Sequence, residues 1–263
     1  MQSTSYLNMI DSHFHLLSME KKGMDLASIL QRMEELSMEG IEIGLDADDL
    51  ALRTARFKGY PFIHLSAGIG PWGVQEGMPP IQEQLAEFES QLSRNKVVAI
   101  GEIGLDNHHA YGTRQSQTQL MMAQLELARQ YEKPVIFHNR EADDQFLSLL
   151  GEQSFPQQGI FHCFQGSGEL ASLAIKQGFF LSFAGNLTYG ANKTLQDLFK
   201  TLPLEHLLLE TDSPYLSPIP LRGRPNSPLH LEHLYRFAAA LRGMEVEALI
   251  DAVRGNFHRF LEQ

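Results

Sequence analysis

Residues 97–138, VVAIGEIGLDNHHAYGTRQSQTQLMMAQLELARQYEKPVIFH, decide the fold. The apolar run Val97–Ile103 gives way to a polar turn, then to Arg114–Tyr131 with apolar residues at helical spacing, then to a second apolar run, Val135–Phe137. Short runs of this kind are strands, and the long amphipathic stretch between them is a helix. Two consecutive strands joined by a helix lie parallel in one sheet, with a right-handed crossover.

The same rhythm extends in both directions. Upstream lie apolar runs at Leu7–Ile10, Ile41–Leu45 and Phe62–Ala67, and downstream at Ile160–Phe164, Phe179–Phe183 and Leu207–Leu209. Helical spacing marks Met24–Met38, Ile81–Arg94, Ala142–Leu150, Gly168–Lys176, Asn192–Leu202, Leu229–Arg242 and Val246–Leu261, with Asp46–Lys58 the weakest stretch. Eight strand–helix units in about 250 residues match a closed barrel better than an open doubly wound sheet. The expectation is an α/β chain with a TIM-type (β/α)8 barrel, one domain over residues 1–263. The proline-rich segment Pro214–Pro228 reads as a loop over the barrel mouth.

Composition narrows the function. With 43% hydrophobic residues the chain has ample material for a core, and with 21 Lys+Arg against 32 Asp+Glu its formal charge is −11. An acidic chain does not hold duplex nucleic acid by a basic surface of its own, so a phosphate-bearing substrate needs positive charge supplied locally. The lone cysteine, Cys163, excludes an intrachain disulfide and suggests a reducing compartment. Met1–Ser5 has no basic run before an apolar stretch, and no 18-residue apolar segment occurs. A cytoplasmic protein is expected, with no membrane association and no obligate protein partner.

Residues able to bind metal fall at the carboxyl ends of the apolar runs: Asp11, His13 and His15 after the first, Glu102 in the fourth, His138 after the fifth, His162 in the sixth, Glu210 and Asp212 after the eighth. In a parallel barrel those ends share the rim where active sites of this architecture lie. His13 and His15, two apart in an extended chain, point the same way. Four imidazoles and several carboxylates exceed the needs of one tetrahedral ion, so two divalent ions sharing a carboxylate are expected, with Glu102, flanked by Gly101 and Gly104, as the bridge. Zn, Mn, Co or Fe suit this donor mix, and Mg the carboxylates.

These motifs together resemble a known family. Met9–His15 (MIDSHFH), Ala99–Asp106 (AIGEIGLD), Pro134–Ala142 (PVIFHNREA), Gly159–Gly166 (GIFHCFQG), Leu207–Leu216 (LLLETDSPYL) and Arg222–Pro228 (RGRPNSP) are similar, in order, to those of TatD-family metal-dependent hydrolases of the amidohydrolase superfamily. The resemblance implies a TIM-type barrel and metal-dependent cleavage of DNA phosphodiesters. It places His13, His15, Glu102 and Asp212 on one metal and Glu102, His138 and His162 on the other. Hydrolysis is expected through a hydroxide bridging the metals, with Asp212 as proton acceptor and then donor, and Glu102 and Asp212 as the catalytic carboxylates. Arg140 is expected on substrate phosphate, joined by Arg222 and Asn226 from the proline-rich loop. DNA ends or short single strands are the expected substrate; hydrolysis of a small ester, lactone or amide on the same metals is the alternative, and a non-catalytic metal-binding protein the third reading.

Three departures from the family pattern touch substrate-facing places. Gly68-Ile69-Gly70-Pro71 lacks the usual histidine, Asn226-Ser227-Pro228 replaces Asn-Glu-Pro, and Asn107-His108 stands where an aromatic pair is frequent. Weak or narrowed deoxyribonuclease activity is expected, with Gly70→His restoring it.

Overall fold

The computed structural model describes residues 6–155 and 158–262; the Met1–Ser5 stretch read in the sequence lies outside them. Eight strands follow one another in sequence order: β1 (Ile10–Phe14), β2 (Glu39–Glu42), β3 (Ile63–Ala67), β4 (Ala99–Asp106), β5 (Val135–Arg140), β6 (Ile160–Phe161), β7 (Phe180–Phe183) and β8 (Leu207–Leu209). Their alternation with helices is that of a TIM-type (β/α)8 barrel, the fold class expected. Among the described residues no helix is long and apolar enough to cross a membrane.

By compactness the chain divides into two units, one taking the chain up to Glu42 together with Leu181–Glu262, the other Ile43–Phe180. In the first unit β1 pairs in parallel with β2, and β7 with β8. A parallel bridge from Phe14 to Ser213 ties β1 to the segment after β8. The helices Leu231–Arg242 and Val246–Leu261 bury Leu234, Tyr235, Val253, Phe257 and Phe260 as the core of this unit.

In the second unit β3, β4, β5 and β6 pair in parallel. Phe137 on β5 meets Phe146, Phe161 and Phe179 at ring separations of 5.1–5.6 Å, so aromatic packing fills the space behind the strands. The helix Arg114–Gln130 starts on a capping box in which the Thr113 hydroxyl accepts from the Ser116 backbone N–H, closing its first turn. Its Gln124 is fully buried, and the side-chain amide brackets Ile69, accepting from its N–H at 2.7 Å and donating to its carbonyl at 2.8 Å.

The weakest sequence stretch does form a helix, Leu50–Phe57. It is held by a charge pair inside the protein: Arg53, 0% exposed, donates through Nε and Nη2 to Asp49 at 2.9 and 2.7 Å. The other Asp49 oxygen accepts from the Leu45 and Asp46 backbone N–H groups. A buried guanidinium needs both a carboxylate partner, here a single Asp49 oxygen accepting two of its N–H groups, and room. Room comes from Gly44, where a Cβ would lie 2.3 Å from Arg53 Nη2.

Candidate metal centre

In the first unit His13 comes from the carboxyl half of β1, His15 from the residue just beyond it and Asp212 from just beyond β8. Backbone bonds stitch these segments together: Asp212 N–H donates to the His13 carbonyl at 2.9 Å and His15 N–H to the Ser213 carbonyl at 2.8 Å. The result brings the two Nε2 atoms to 3.2 Å from each other and to 3.6 and 3.3 Å from Asp212 Oδ1. Bonds of about 2.0–2.1 Å in a tetrahedral shell set neighbouring donor atoms about 3.3 Å apart. The three side-chain atoms therefore form one triangular face of a metal polyhedron, and the donor set fits a divalent ion.

A polar layer beneath holds this face in place. Asp11, fully buried, accepts from the Thr211 N–H at 2.8 Å and the Thr211 hydroxyl at 2.6 Å, and the same hydroxyl meets Ser213 Oγ at 2.8 Å. Burial pushes the Asp11 carboxyl up to about 8, against the lowering pull of the Thr211 bonds.

In the second unit Glu102, His138 and His162 converge from β4, β5 and the end of β6. His162 Nε2 lies 2.8 Å from Glu102 Oε2 and 3.1 Å from His138 Nδ1, while His138 Nδ1 is 3.9 Å from Glu102 Oε2. The spacing again suits one ion. His138 turns its other nitrogen, Nε2, to Asp106 Oδ2 at 3.3 Å. A proton on Nε2 shared with that carboxylate leaves the Nδ1 lone pair facing Glu102 and His162, the tautomer a metal needs.

Two of the strands that carry candidate ligands, β4 and β1, have an irregularity at the site. Between Gly101 and Ile103 the pairing of β4 with β5 skips a residue, leaving Glu102 without an opposite number, and β1 slips in the same sense against β2 between Asp11 and Phe14. Such bulges re-aim side chains beside functional sites.

Asp106 is the residue that reading the sequence missed. It closes the GEIGLD motif, and its carboxylate accepts from the His108 and His109 N–H groups at 2.9 and 2.8 Å and meets His109 Nδ1 at 2.8 Å. Burial alone would raise its pKa, but His138 and His109 outweigh it and hold Asp106 well below the usual carboxylate range. His138 is pushed the other way: burial lowers it, and the Asp106 and Glu102 contacts lift it above an ordinary histidine. Replacing Asp106 with Asn should weaken metal binding by about 10–100-fold, the usual loss when a ligand histidine loses its supporting carboxylate. Titration with a competing chelator measures it; unchanged affinity would show that Asp106 serves packing alone.

The substrate-facing residues divide. Arg140, two residues beyond His138 on β5, is half-buried, and among the described residues its guanidinium makes no ion pair. Arg222 is exposed and lies over the Tyr189 ring at 4.4 Å. Asn226, expected on the substrate, is instead 0% exposed: its Nδ2 donates to the Thr211 carbonyl at 2.8 Å and its Oδ1 accepts from the Ser227 N–H at 2.9 Å. With donor and acceptor both engaged, Asn226 anchors the proline-rich loop to the segment carrying Asp212. His108, exposed, pairs with Glu141 at 2.9 Å.

Strands in (β/α)8 order with His and carboxylate clusters at their carboxyl ends define a metal-dependent hydrolase of the barrel class. Within that class, the family described as TatD related DNase matches residues 10–262, and the chain belongs to the TatD family. It is 32% identical over 253 residues to the uncharacterized metal-dependent hydrolase YabD of Bacillus subtilis, covering 95% of this chain and 98% of YabD. To the uncharacterized metal-dependent hydrolase YcfH of Escherichia coli K12 it is 30% identical over 260 residues, covering 95% and 94%. The crystal structure of YjjV, a TatD homolog from Escherichia coli K12, superposes with a TM-score of 0.88 at 29% identity, covering 97% of this chain and 98% of YjjV.

Proposed function

We infer that this TatD-family hydrolase is a phosphodiesterase that shortens DNA from an end or cleaves short single strands, working with two divalent ions. The observation that carries the reading is Arg140: a half-buried guanidinium without an ion pair among the described residues, two positions along the strand from a metal-ligand histidine. A planar fork in that place suits a phosphate oxygen pair. His13, His15 and Asp212 would hold one ion and His138 and His162 the other, with Glu102 as the shared ligand that the family resemblance implies. Bound there, divalent ions would supply Lewis acidity toward a phosphate oxygen and lower the pKa of water to about 7. Asp212 faces the two imidazoles with Oδ1, and its second oxygen is the group to take a proton from the attacking water and return it to the departing sugar oxygen. Arg140 fixes the phosphate, and the acidic remainder of the chain disfavours a long duplex.

A second reading, hydrolysis of a small ester, lactone or amide, draws on Gly70, where the family's imidazole is absent. One experiment separates the two: short single-stranded oligonucleotides, duplexes and a set of small esters assayed with Mg, Mn or Zn after chelator treatment. The expected result is nucleotide release from short single strands that the chelator abolishes and added metal restores. Turnover of an ester with no cleavage of DNA would overturn the phosphodiesterase reading.

A further inference from the structure

Trp72 is the only tryptophan of the chain, and it lies two residues past the position where the family's histidine is missing. A Cβ at Gly70 would sit 2.2 Å from Cη2 and Cζ2 of the Trp72 ring, far inside van der Waals contact. Glycine at 70 is thus what admits the indole. The ring is then pinned: its N–H donates to the Leu45 carbonyl at 2.9 Å, and Gln124 clamps the preceding Ile69. In that pose the half-buried indole stands edge-to-face with the His138 imidazole, centroids 6.2 Å apart, and with Tyr111 at 6.3 Å. Tyr111 in turn stacks on the exposed His109 at 5.2 Å. An aromatic strip therefore leads outward from a metal-ligand histidine through Trp72 and Tyr111 to solvent. The expected Gly70→His restoration fails on this geometry, because any side chain at 70 meets the indole.

We propose that Trp72 is a specificity-determining residue that receives the base of the substrate nucleotide, replacing an imidazole contact to phosphate with a stacking contact to the ring. This rests on the phosphodiesterase reading and names its substrate subsite. An indole carries no charge for a phosphate, and Arg140 on the same strand as His138 supplies that. What an indole offers is π-surface, and stacking of a base on an aromatic side chain is sequence-tolerant, worth about 1–3 kcal/mol. Tyr111 and His109 extend the surface in place of the aromatic pair missing at Asn107-His108.

Because Trp72 is the sole tryptophan, emission excited at the red edge, where the seven tyrosines do not absorb, reports on this position alone. The metal-loaded protein is titrated with thymidine 5′-monophosphate and, in parallel, with deoxyribose 5-phosphate, which lacks the base. Saturable quenching by the nucleotide and none by the sugar phosphate is expected; equal responses, or none to either, overturn the proposal. In cleavage of a dinucleotide against its abasic counterpart, wild type should prefer the base by about 5–150-fold in kcat/KM. Trp72→Ala should bring that ratio to within about twofold of one, and Trp72→Phe should retain part of it. Gly70→Ala, which crowds the indole, should shift the emission without ligand and reduce the preference. A wild-type preference surviving in Trp72→Ala overturns the assignment. Absence of any DNA cleavage by wild type sinks the phosphodiesterase reading instead, and the fluorescence comparison then decides the base contact independently.

Discussion

Asp212→Asn should reduce hydrolysis by about 10³-fold, the scale of several kcal/mol of lost charge stabilisation and proton transfer. The substitution keeps shape and removes only the charge and the proton acceptor from a side chain that is 14% exposed. Oδ1 faces His13 and His15, so affinity for the ion should fall as well. The fold should not suffer: the backbone bond from Asp212 to the His13 carbonyl persists whatever the side chain. Thermal unfolding distinguishes the two effects. In chelator, wild type and variant should melt together, while added metal should raise the midpoint of wild type more, since only ligand bound to the native state stabilises it. A variant that melts lower in chelator would assign Asp212 a structural role.

Glu102→Gln and Arg140→Ala should fail in different ways. A carboxylate shared by two cations neutralises both, and an amide in its place donates hydrogens toward the metal, so Glu102→Gln should drop metal content from about two ions per chain to one or fewer. Arg140→Ala should keep full metal content and raise KM by about 10–150-fold, the equivalent of one charge-assisted hydrogen bond of about 1.5–3 kcal/mol. Metal analysis at saturation, paired with steady-state kinetics, checks both. Equal metal occupancy in wild type and Glu102→Gln would exclude the carboxylate as a shared ligand.

Helices were legible almost to the residue where one face is apolar, as at Gly168–Lys176, whose start Ser167 caps, and at Val246–Leu261. Strand ends were not. The run Leu7–Ile10 places a strand too early: Leu7 is 54% exposed, and β1 begins only at Ile10. β5 likewise continues from Phe137 to Arg140. The polar residues that close these strands stay paired through their backbones, so hydrophobicity stops before hydrogen bonding does.

The six candidate ligand positions were visible because His and carboxylates recur at strand ends. What supports them was not. A bulge at Glu102 leaves no compositional trace, and Asp106 looks like any acidic residue at a turn until His138 is seen behind it. Asn226 misled because polarity argues for solvent, while its amide is buried against the Thr211 carbonyl and the Ser227 N–H. Trp72 needed Gly70 to be read with it, a steric dependence that no periodicity encodes.

The stitching of β1 to the segment after β8 also sets an order of assembly during synthesis. Asp11 and Thr211 are bonded across 200 residues of chain, so the cluster of His13, His15 and Asp212 closes only after residue 212 has emerged from the ribosome. Glu102, His138 and His162 belong to one continuous stretch and are all made several seconds before residue 212, at about 5–20 residues per second. A nascent chain can thus present one complete set of donors while the other is still two histidines waiting for a carboxylate. A chain cut short before β8 would lack Asp212 and leave the first cluster with its two histidines alone.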